Sequence, residues 1–386
     1  MEYSKEYNDN LKRFNDVINF KPIDRTLHFS NFYTWKVFDC DTRYKLSEAM
    51  VDFDKIEHLQ CEFHERYRFD THMDYGTRNT AIGTSLALGS SHYVIDDNAE
   101  VINFYDHAIM EGDEYEEFSK DPERVHWRIF QRKHPGVTKG QVVKAIMRNI
   151  ENGEFQNHIV NKFVTKYNCP GVLPNNSSVG ALVQSPIERF GKYYRGIREM
   201  SMDLRRHKKE LLMACDAIHE KEALPTLRAA LKSGSSVCFS DTFCGLLVHA
   251  TMSLDQWEEF YWPYLKQYFD EVVAAGKTIN VYSENSISRF AKYFKDYPKG
   301  HIAFIIELDD LIELRKELPN VCLIGGMTSE LLGYGTPQQC IDRVKRLEDN
   351  LKEGFILSQD KMVSFRQDCK RENLLAISEY LQGSRK

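Results

Sequence analysis

Short apolar runs alternate with amphipathic stretches through the second half of the chain. The runs are short and rich in β-branched and aromatic residues, which predicts buried strands. They lie at 235–241, 278–283, 301–306, 320–326 and 355–358. Between them, apolar positions recur with the spacing of a helix face. This alternation of buried strands and amphipathic helices is typical of parallel βα units.

Helix boundary signals agree with this pattern. Ser253 and Gln256 form a capping box, which predicts the start of a helix that ends at Gly276. Two further helices are predicted around 286–295 and 370–382. In the first half, helices are predicted at 47–67 and 140–165, where apolar residues again follow a helical spacing.

The first half contributes three more predicted strands, at 25–31, 68–75 and 169–175. Eight parallel βα units close into a barrel. We therefore predict an α/β fold of the (β/α)8 TIM type, in one domain spanning 1–386 with an N-terminal extension. Residues 76–135 are rich in Gly, Asp and aromatics and lack a helical period. We expect this segment to be a large insertion, or lid, over the carboxyl-terminal face of the barrel.

Charge and composition exclude several classes of binding partner for the protein. The net charge of −6 and isoelectric point near 6.1 argue against a nucleic-acid or anionic-membrane surface, because both need a basic field. No apolar run approaches the ~20 residues of a membrane span, and the polar N-terminus shows no secretory signal. Nine cysteines at irregular spacings are typical of reduced thiols. We expect a cytoplasmic protein without nucleic-acid or membrane partners.

Polar residues follow the predicted strands, at the barrel end where such folds carry their chemistry. In chain order they are Asp70, His72, Asp74, Asp241, Tyr282, Glu284, Glu307, Gln359 and Asp360. The acidic groups are consistent with an oxygen-rich metal site or with a pair of acid–base carboxylates. They are equally consistent with helix caps, because Asp and Glu favour helix N-termini.

Two motifs with metal-like spacing are interpreted as structural. Cys61 and His64 have Cys-x-x-His spacing, but a solvated helix face explains them better, since no second pair of ligands follows. The stretch "DTHMDYG" is similar to the Asp-x-His-x-x-Gly of corrinoid-carrying domains, yet Gly76 comes one residue late. We therefore do not expect this chain to carry a corrinoid itself.

Several motifs resemble the uroporphyrinogen decarboxylase superfamily. They are the strand, Gly-Thr-Pro turn and helix of "NVCLIGGMTSELLGYGTPQQCIDRVKRL", the last strand "FILSQD", the final helix "RENLLAISEYL", the Arg-Gly helix "SPIERFGKYYRGIREMSMDLRR" and the turn "KPIDRT". The resemblance covers nearly the whole chain and is strongest after about residue 185. It implies a (β/α)8 barrel, in agreement with the count of units.

The superfamily contains decarboxylases and methyltransferases. The decarboxylases carry an arginine-rich N-terminal motif, whereas this chain has aromatics in "HFSNFYTWKVFDC". Four substrate carboxylates need guanidinium groups, so porphyrinogen is not the expected substrate. The zinc-dependent methyltransferases that work with corrinoid proteins carry His-x-Cys after the fifth strand and a Cys after the last. Aligned without gaps, those positions are Tyr282, Glu284 and Asp360.

The resemblance thus implies Glu284, Asp360 and Glu307 as ligands of a divalent ion such as Zn²⁺, with Asp241 or His249 as another candidate third ligand. Two carboxylates in place of two thiolates would hold a harder metal, or the metal would be lost.

The methyltransferase branch also implies a function. Its first methyltransferases move a methyl group from a small donor, here expected to be a methoxylated aromatic, to the cob(I)alamin of a partner corrinoid protein. Tyr282, Glu284 and Asp241 would be catalytic. Aromatic side chains would stack on the substrate: Phe32, Tyr33, Trp35 and Tyr75. The chain would also be able to form a homodimer. Two alternatives stay open, a decarboxylase or lyase acting on a non-porphyrin acid and a non-catalytic family member.

Overall fold

A parallel six-stranded sheet lies at the centre of the fold. The computed structural model describes residues 3–89, 93–104, 108–171, 182–233 and 239–383. Its strands, in chain order, are Phe29–Ser30 (β1), Thr71–His72 (β2), Tyr93–Asp96 (β3), Val101–Phe104 (β4), Leu182–Val183 (β5), Thr242–Leu246 (β6), Ile279–Ser283 (β7), Ile302–Ile306 (β8), Cys322–Met327 (β9) and Phe355–Gln359 (β10). The order in the sheet is β10-β9-β8-β7-β6-β5. All residues of β6 to β10 are buried, which explains why their sequences are mainly apolar.

The N-terminal strands continue this sheet beyond β10. Strands β1 and β2 are parallel, and His28 forms a parallel bridge with Leu357 of β10. On the other side of β2, the Thr71 hydroxyl donates to the Pro170 carbonyl at 2.6 Å. The predicted third strand, 169–175, extends beyond the residues that the structure describes. The parallel α/β fold is confirmed, and closure of an eight-stranded barrel stays a prediction.

Helices accompany the strands throughout the described residues. The α-helices are Lys5–Ile18 (α1), Trp35–Asp39 (α2), Leu46–Ala49 (α3), Phe53–Tyr67 (α4), Thr77–Ala87 (α5), Tyr115–Lys120 (α6), Pro122–Lys133 (α7), Lys139–Lys166 (α8), Pro186–Arg189 (α9), Gly196–Arg206 (α10), Lys208–Ile218 (α11), Leu224–Ser233 (α12), Leu254–Phe260 (α13), Trp262–Ala274 (α14), Leu311–Glu317 (α15), Ser329–Tyr334 (α16), Pro337–Asn350 (α17) and Arg371–Gly383 (α18). Shorter 3₁₀ and π segments occur at Gly112–Glu114, Phe190–Tyr194, His219–Ala223, Val248–Thr251, Ser288–Tyr293 and Arg366–Asp368. None of the described helices is long and apolar enough to span a bilayer.

The capping residues in the sequence correctly predict where helices begin, but they do not predict where a helix is interrupted. Ser253 and Gln256 form the predicted capping box. The helix that they open is nevertheless broken at Tyr261, and α14 has Pro263 in its first turn, where a missing N–H is tolerated. The segment predicted as a helix over 286–295 is a 3₁₀ helix at Ser288–Tyr293. The helix predicted at 140–165 is confirmed as α8.

The predicted insertion contains more regular structure than its sequence indicates. Within 76–135 lie α5, the antiparallel pair of β3 and β4, α6 and α7, so a segment without a helical period in its sequence nevertheless contains helices. Helix α7 carries clear signals, because Asp121 caps it, Pro122 stands in its first turn, and Val125 and Ile129 bury one face. Whether this segment acts as a lid stays a prediction.

One strand boundary changes the position of a candidate site residue. The prediction placed a strand at 235–241, partly outside the described residues, whereas β6 begins at Thr242. Asp241 therefore precedes its strand and lies at the amino end of the sheet. A five-residue strand spans about 13 Å from its first to its last residue, so Asp241 lies at the opposite sheet edge from Glu284.

Candidate functional site

Tyr282 and Glu307 form a hydrogen-bonded pair at the carboxyl ends of β7 and β8. Successive strand residues point to opposite faces, and Tyr282 packs in a different apolar cluster from Val281. The Tyr282 hydroxyl donates to Glu307 Oε1 at 2.7 Å, and the Asn285 amide donates to Oε2 at 2.9 Å. Asn285 has a φ of 65°, a left-handed conformation that asparagine tolerates. The turn after β7 thus fixes both oxygens of Glu307.

The surroundings of Glu307 favour its protonated form. Burial is the main cause of its raised pKa, and the negative charges of Glu284 and Asp360 raise the pKa further. The hydrogen bonds from Asn285 and Tyr282 partly offset this effect. Burial also raises the pKa of Asp360, although that carboxylate accepts a hydrogen bond from the Ser329 amide at 2.9 Å. Carboxyl groups whose pKa is raised in this way are candidate proton donors.

A buried carboxylate in α9 and a lysine lie next to Glu284, the residue after β7. Glu188 is fully buried, and its Oε1 accepts hydrogen bonds from the amides of Leu247 and Val248, at 2.8 and 2.9 Å, and from the Tyr261 hydroxyl. Lys192 Nζ lies 3.5 Å from Glu188 Oε2 and 3.9 Å from Glu284 Oε1. Burial raises the pKa of Glu188, partly offset by Lys192. Lys192 thus bridges two carboxyl groups at this edge of the sheet.

The segment that carries Lys192 is a π-helix at Phe190–Tyr194. Such turns recur at functional sites. A Cβ atom at Gly191 would lie 2.5 Å from Val248 Cγ1, so only glycine allows this close approach to the segment after β6. The insertion contacts the same turn, because the amides of Ile109 and Met110 each donate to the Tyr194 carbonyl at 2.8 Å. These contacts hold Glu188 and Lys192 in place.

His249 lies next to this group and is neutral. It is buried, and burial lowers its pKa to about 4, with a smaller contribution from nearby cations. Its Nε2 lies 3.5 Å from the Ser283 hydroxyl. Sequence reasoning offered His249 only as an alternative ligand and did not single out Glu188 or Lys192. Glu188 and Lys192 are four residues apart, a spacing that usually means an exposed helical ion pair.

The structure separates the remaining candidates from this site. Asp241 accepts hydrogen bonds from the Thr278 amide and hydroxyl at the amino end of β7, so its predicted position at a carboxyl strand end is wrong. The aromatic candidates lie in packed clusters: Phe32, Trp35 and Tyr75 are at most 3% exposed. The Tyr33 hydroxyl lies 3.6 Å from Met50 Sδ. The structure gives these rings packing roles, and substrate stacking by them stays a prediction.

Zinc does not fit the carboxylate set that the resemblance implies. Among the described residues, Glu284, Glu307 and Asp360 are not a group whose ligand atoms lie within 4.8 Å of one another. Both Glu307 oxygens and Asp360 Oδ1 already accept hydrogen bonds. Zinc prefers nitrogen and sulfur ligands, whereas this set offers only oxygen. A metal role for these three residues stays a prediction without support from their geometry.

Two other groups of ligand atoms do converge in the described parts of the chain. They are His64, His72 and Cys169, which are all buried, and Cys40, His58 and Glu62, which are partly exposed. His64 was predicted to lie on a solvated helix face with no second pair of ligands. That prediction is wrong, because the face of α4 that carries His64 packs against His72 of β2.

The comparisons with known proteins agree with the fold. The family model of uroporphyrinogen decarboxylase (URO-D) matches residues 172–366, just over half of the chain. A solved structure of a methyltransferase from Methanosarcina mazei superposes with a TM-score of 0.63, covering 98% of this chain and 99% of that chain. At 13% identity this likeness shows a shared fold. No curated protein sequence is significantly similar to the chain.

Proposed function

The chain belongs to the uroporphyrinogen decarboxylase family, and from this premise we propose that it is a methyltransferase. It moves a methyl group from a small methylated donor, favoured to be a methoxylated aromatic, to the cob(I)alamin of a partner corrinoid protein. The observation that carries the proposal is the Tyr282–Glu307 pair, a proton donor at the carboxyl edge of the sheet. The structural neighbour that is a methyltransferase adds support through the shared fold.

The segment after β1 argues against decarboxylation of a porphyrinogen. Its one Lys or Arg residue between positions 28 and 40 is Lys36. The Lys36 ammonium is buried and donates to Gln60 Oε1 at 2.8 Å and to the Asp74 carbonyl at 2.9 Å. A cation engaged inside the protein in this way cannot bind several substrate carboxylates, which need exposed guanidinium groups.

The proposed role of the site follows from the leaving group. When the methyl group of an aryl ether departs, the C–O bond breaks and its electron pair stays on the donor oxygen, which needs a proton. The partner's reduced corrinoid supplies the nucleophile that accepts the methyl group. The Tyr282 hydroxyl gives its proton to the donor oxygen and regains one from Glu307. Glu307 ends as a carboxylate, and the donor leaves as a neutral phenol.

Glu284, Asp360 and Lys192 would set the electrostatics of this transfer. Burial is the main reason why the pKa of Glu307 lies above its ordinary value, and the two carboxylates raise it further, which makes the acid form more available before the reaction. Lys192, 3.9 Å from Glu284, limits the negative charge that accumulates afterwards. In our proposal, Glu284 therefore helps the reaction by raising the pKa of Glu307 and does not bind a metal.

Substrate panels test this function directly. Purified protein mixed with a reduced corrinoid carrier and a set of methoxylated aromatics should produce the methylated corrinoid, followed by its absorbance, together with one phenol for each methyl group. Omitting the carrier should abolish phenol release. Release of CO₂ from carboxylic acids, with no methyl transfer from aryl ethers or methylamines, would instead identify a decarboxylase.

A further inference from the structure

We propose that His64, His72 and Cys169 form a zinc site, separate from the Tyr282–Glu307 pair. The three side chains come from different elements: His64 from α4, His72 from β2, and Cys169 from the segment after α8. Their ligand atoms all lie within 4.8 Å of one another, and all three residues are buried. Two imidazoles and one thiolate are the ligand types that zinc selects.

The geometry of the histidine pair needs only a small adjustment. His64 Nδ1 lies 2.9 Å from His72 Nε2. Two nitrogen ligands of a tetrahedral zinc ion are about 3.3 Å apart, given bond lengths near 2.05 Å. The Cys169 thiol donates to the Asp70 carbonyl at 3.1 Å. On binding zinc, this thiol loses its proton and its sulfur turns to the metal.

Aromatic side chains enclose the proposed site beside His72. The rings of Phe163 and Tyr75 pack against the His72 imidazole, and three protein ligands leave the fourth position of a tetrahedral ion to a water molecule.

A cavity borders the proposed site at His64. His64 lines a cavity of about 820 Å³ together with Asp70, Tyr167 and Asn168.

The second converging group, Cys40, His58 and Glu62, is a weaker candidate for a metal site. Its Cys40 thiol donates to Glu62 at 2.6 Å, and burial together with that carboxylate raises the pKa of Cys40 to about 12, so thiolate formation is disfavoured there.

Metal reconstitution of the full chain tests the zinc site. Chelator-treated protein is incubated with Zn²⁺ or Co²⁺, desalted and analysed by elemental analysis. Wild type should retain one ion per chain, and its Co²⁺ form should show a thiolate-to-cobalt absorption band. Cys169→Ala should lose both the ion and the band. If Cys169→Ala folds poorly, His64→Gln serves in its place and should also lose the bound ion. Cys61→Ala, on the same helix, is the matched control and should retain the ion and the band.

The outcomes separate this site from the carboxylates. Glu284→Ala should keep its metal, because the proposed ligands are untouched. Wild-type protein that stays metal-free after reconstitution would overturn the proposal, as would loss of the metal in Glu284→Ala. Neither result depends on methyl transfer, so failure of the proposed function leaves this test intact.

A second inference concerns a face of α8 that is exposed among the described residues. Six exposed residues share one stripe of this helix, at i, i+4, i+7, i+8, i+11 and i+15: Lys139, Val143, Ile146, Met147, Ile150 and Glu154. The four apolar side chains are each more than half exposed. A contiguous exposed apolar stripe usually marks an interaction surface.

The charges at the two ends of the stripe point to a second copy of this chain as the partner. The stripe is basic at one end, with Lys139, and acidic at the other, with Glu154. In an antiparallel pair of α8 helices around a two-fold axis, Val143 faces Ile150, Ile146 faces Met147, and Lys139 faces Glu154 of the other copy. Such self-complementarity is the property of a two-fold interface. We infer a homodimer that forms through α8. We expect it to associate weakly, because one pair of helices buries less than the total area of about 1,200 Å² that stable interfaces bury.

Sedimentation of the full chain over a range of concentrations tests this interface. Wild type should show a monomer–dimer equilibrium, and Ile146→Asp should raise the dissociation constant by roughly 30-fold or more. Lys139→Glu should weaken association, and adding Glu154→Lys should restore it. Leu254→Asp, at an exposed apolar position on α13, is the control and should change nothing. A wild-type monomer at all concentrations, or no restoration by the double reversal, would contradict the proposal.

Discussion

Replacing Glu307 with Gln is expected to slow methyl transfer by about 10²- to 10³-fold, the usual contribution of a positioned general acid. The amide side chain would still accept the hydrogen bond from Tyr282 but would have no proton to replace the one that Tyr282 gives away. Single-turnover rates with a reduced corrinoid carrier measure the effect, and Tyr282→Phe should be impaired to a similar degree. Combining the two substitutions should cost little more than either alone, because they act in one proton path.

The matched control for this prediction is Asp309→Asn. Asp309 lies two residues beyond Glu307, and its carboxylate accepts hydrogen bonds from the Ser286 hydroxyl and the Ile287 amide, at 2.5 and 2.7 Å. It therefore supports the turn without facing Tyr282, and the rate should change only slightly. If the folded Glu307→Gln variant transfers methyl groups at the wild-type rate, Glu307 is not the acid.

Removing the Glu188 side chain is expected to lower the free energy of unfolding by about 3–5 kcal/mol, the cost of breaking a buried ion pair. In Glu188→Ala the amides of Leu247 and Val248 and the Tyr261 hydroxyl lose their acceptor. Lys192 also loses one of its two carboxylate neighbours. Urea-induced unfolding measures this loss.

Two variants show whether the loss comes from these contacts. Glu188→Gln keeps one acceptor oxygen and should be destabilised less than Glu188→Ala. Glu220→Ala, at an exposed position, should stay within about 0.5 kcal/mol of wild type. Equal unfolding free energies for Glu188→Ala and wild type would show that the buried carboxylate does not hold this edge of the sheet together.

The sequence pattern predicted the second-half strands because each is an apolar run that the structure buries on both faces. Strands β7 and β8, at Ile279–Ser283 and Ile302–Ile306, lie within the predicted runs. The same apolar signal misplaced β6, since 235–241 is as apolar as a strand but Thr242–Leu246 forms the ladder. An error of a few residues moved Asp241 from one edge of the sheet to the other.

The sequence predicted those residues of the candidate site that directly follow a strand. It did not predict the residues whose positions depend on the packing of helices. Tyr282, Glu284, Glu307 and Asp360 stand at strand ends, which the alternation of strands and helices predicts. Glu188 and Lys192 have the spacing of an ordinary surface pair, and only the close approach at Gly191 buries them. His64 was misjudged for a related reason, because spacing along one helix does not say which face packs on β2.

The dependence of the methyl-transfer rate on pH tests the central claim most directly. The acid form of Glu307 is required, and burial raises its pKa. The single-turnover rate should therefore be highest below this raised pKa and fall as the pH rises through it. In Glu307→Gln this decline should disappear and leave a low, flat profile, while Asp309→Asn should keep the wild-type profile. A decline that persists unchanged in Glu307→Gln would contradict the account.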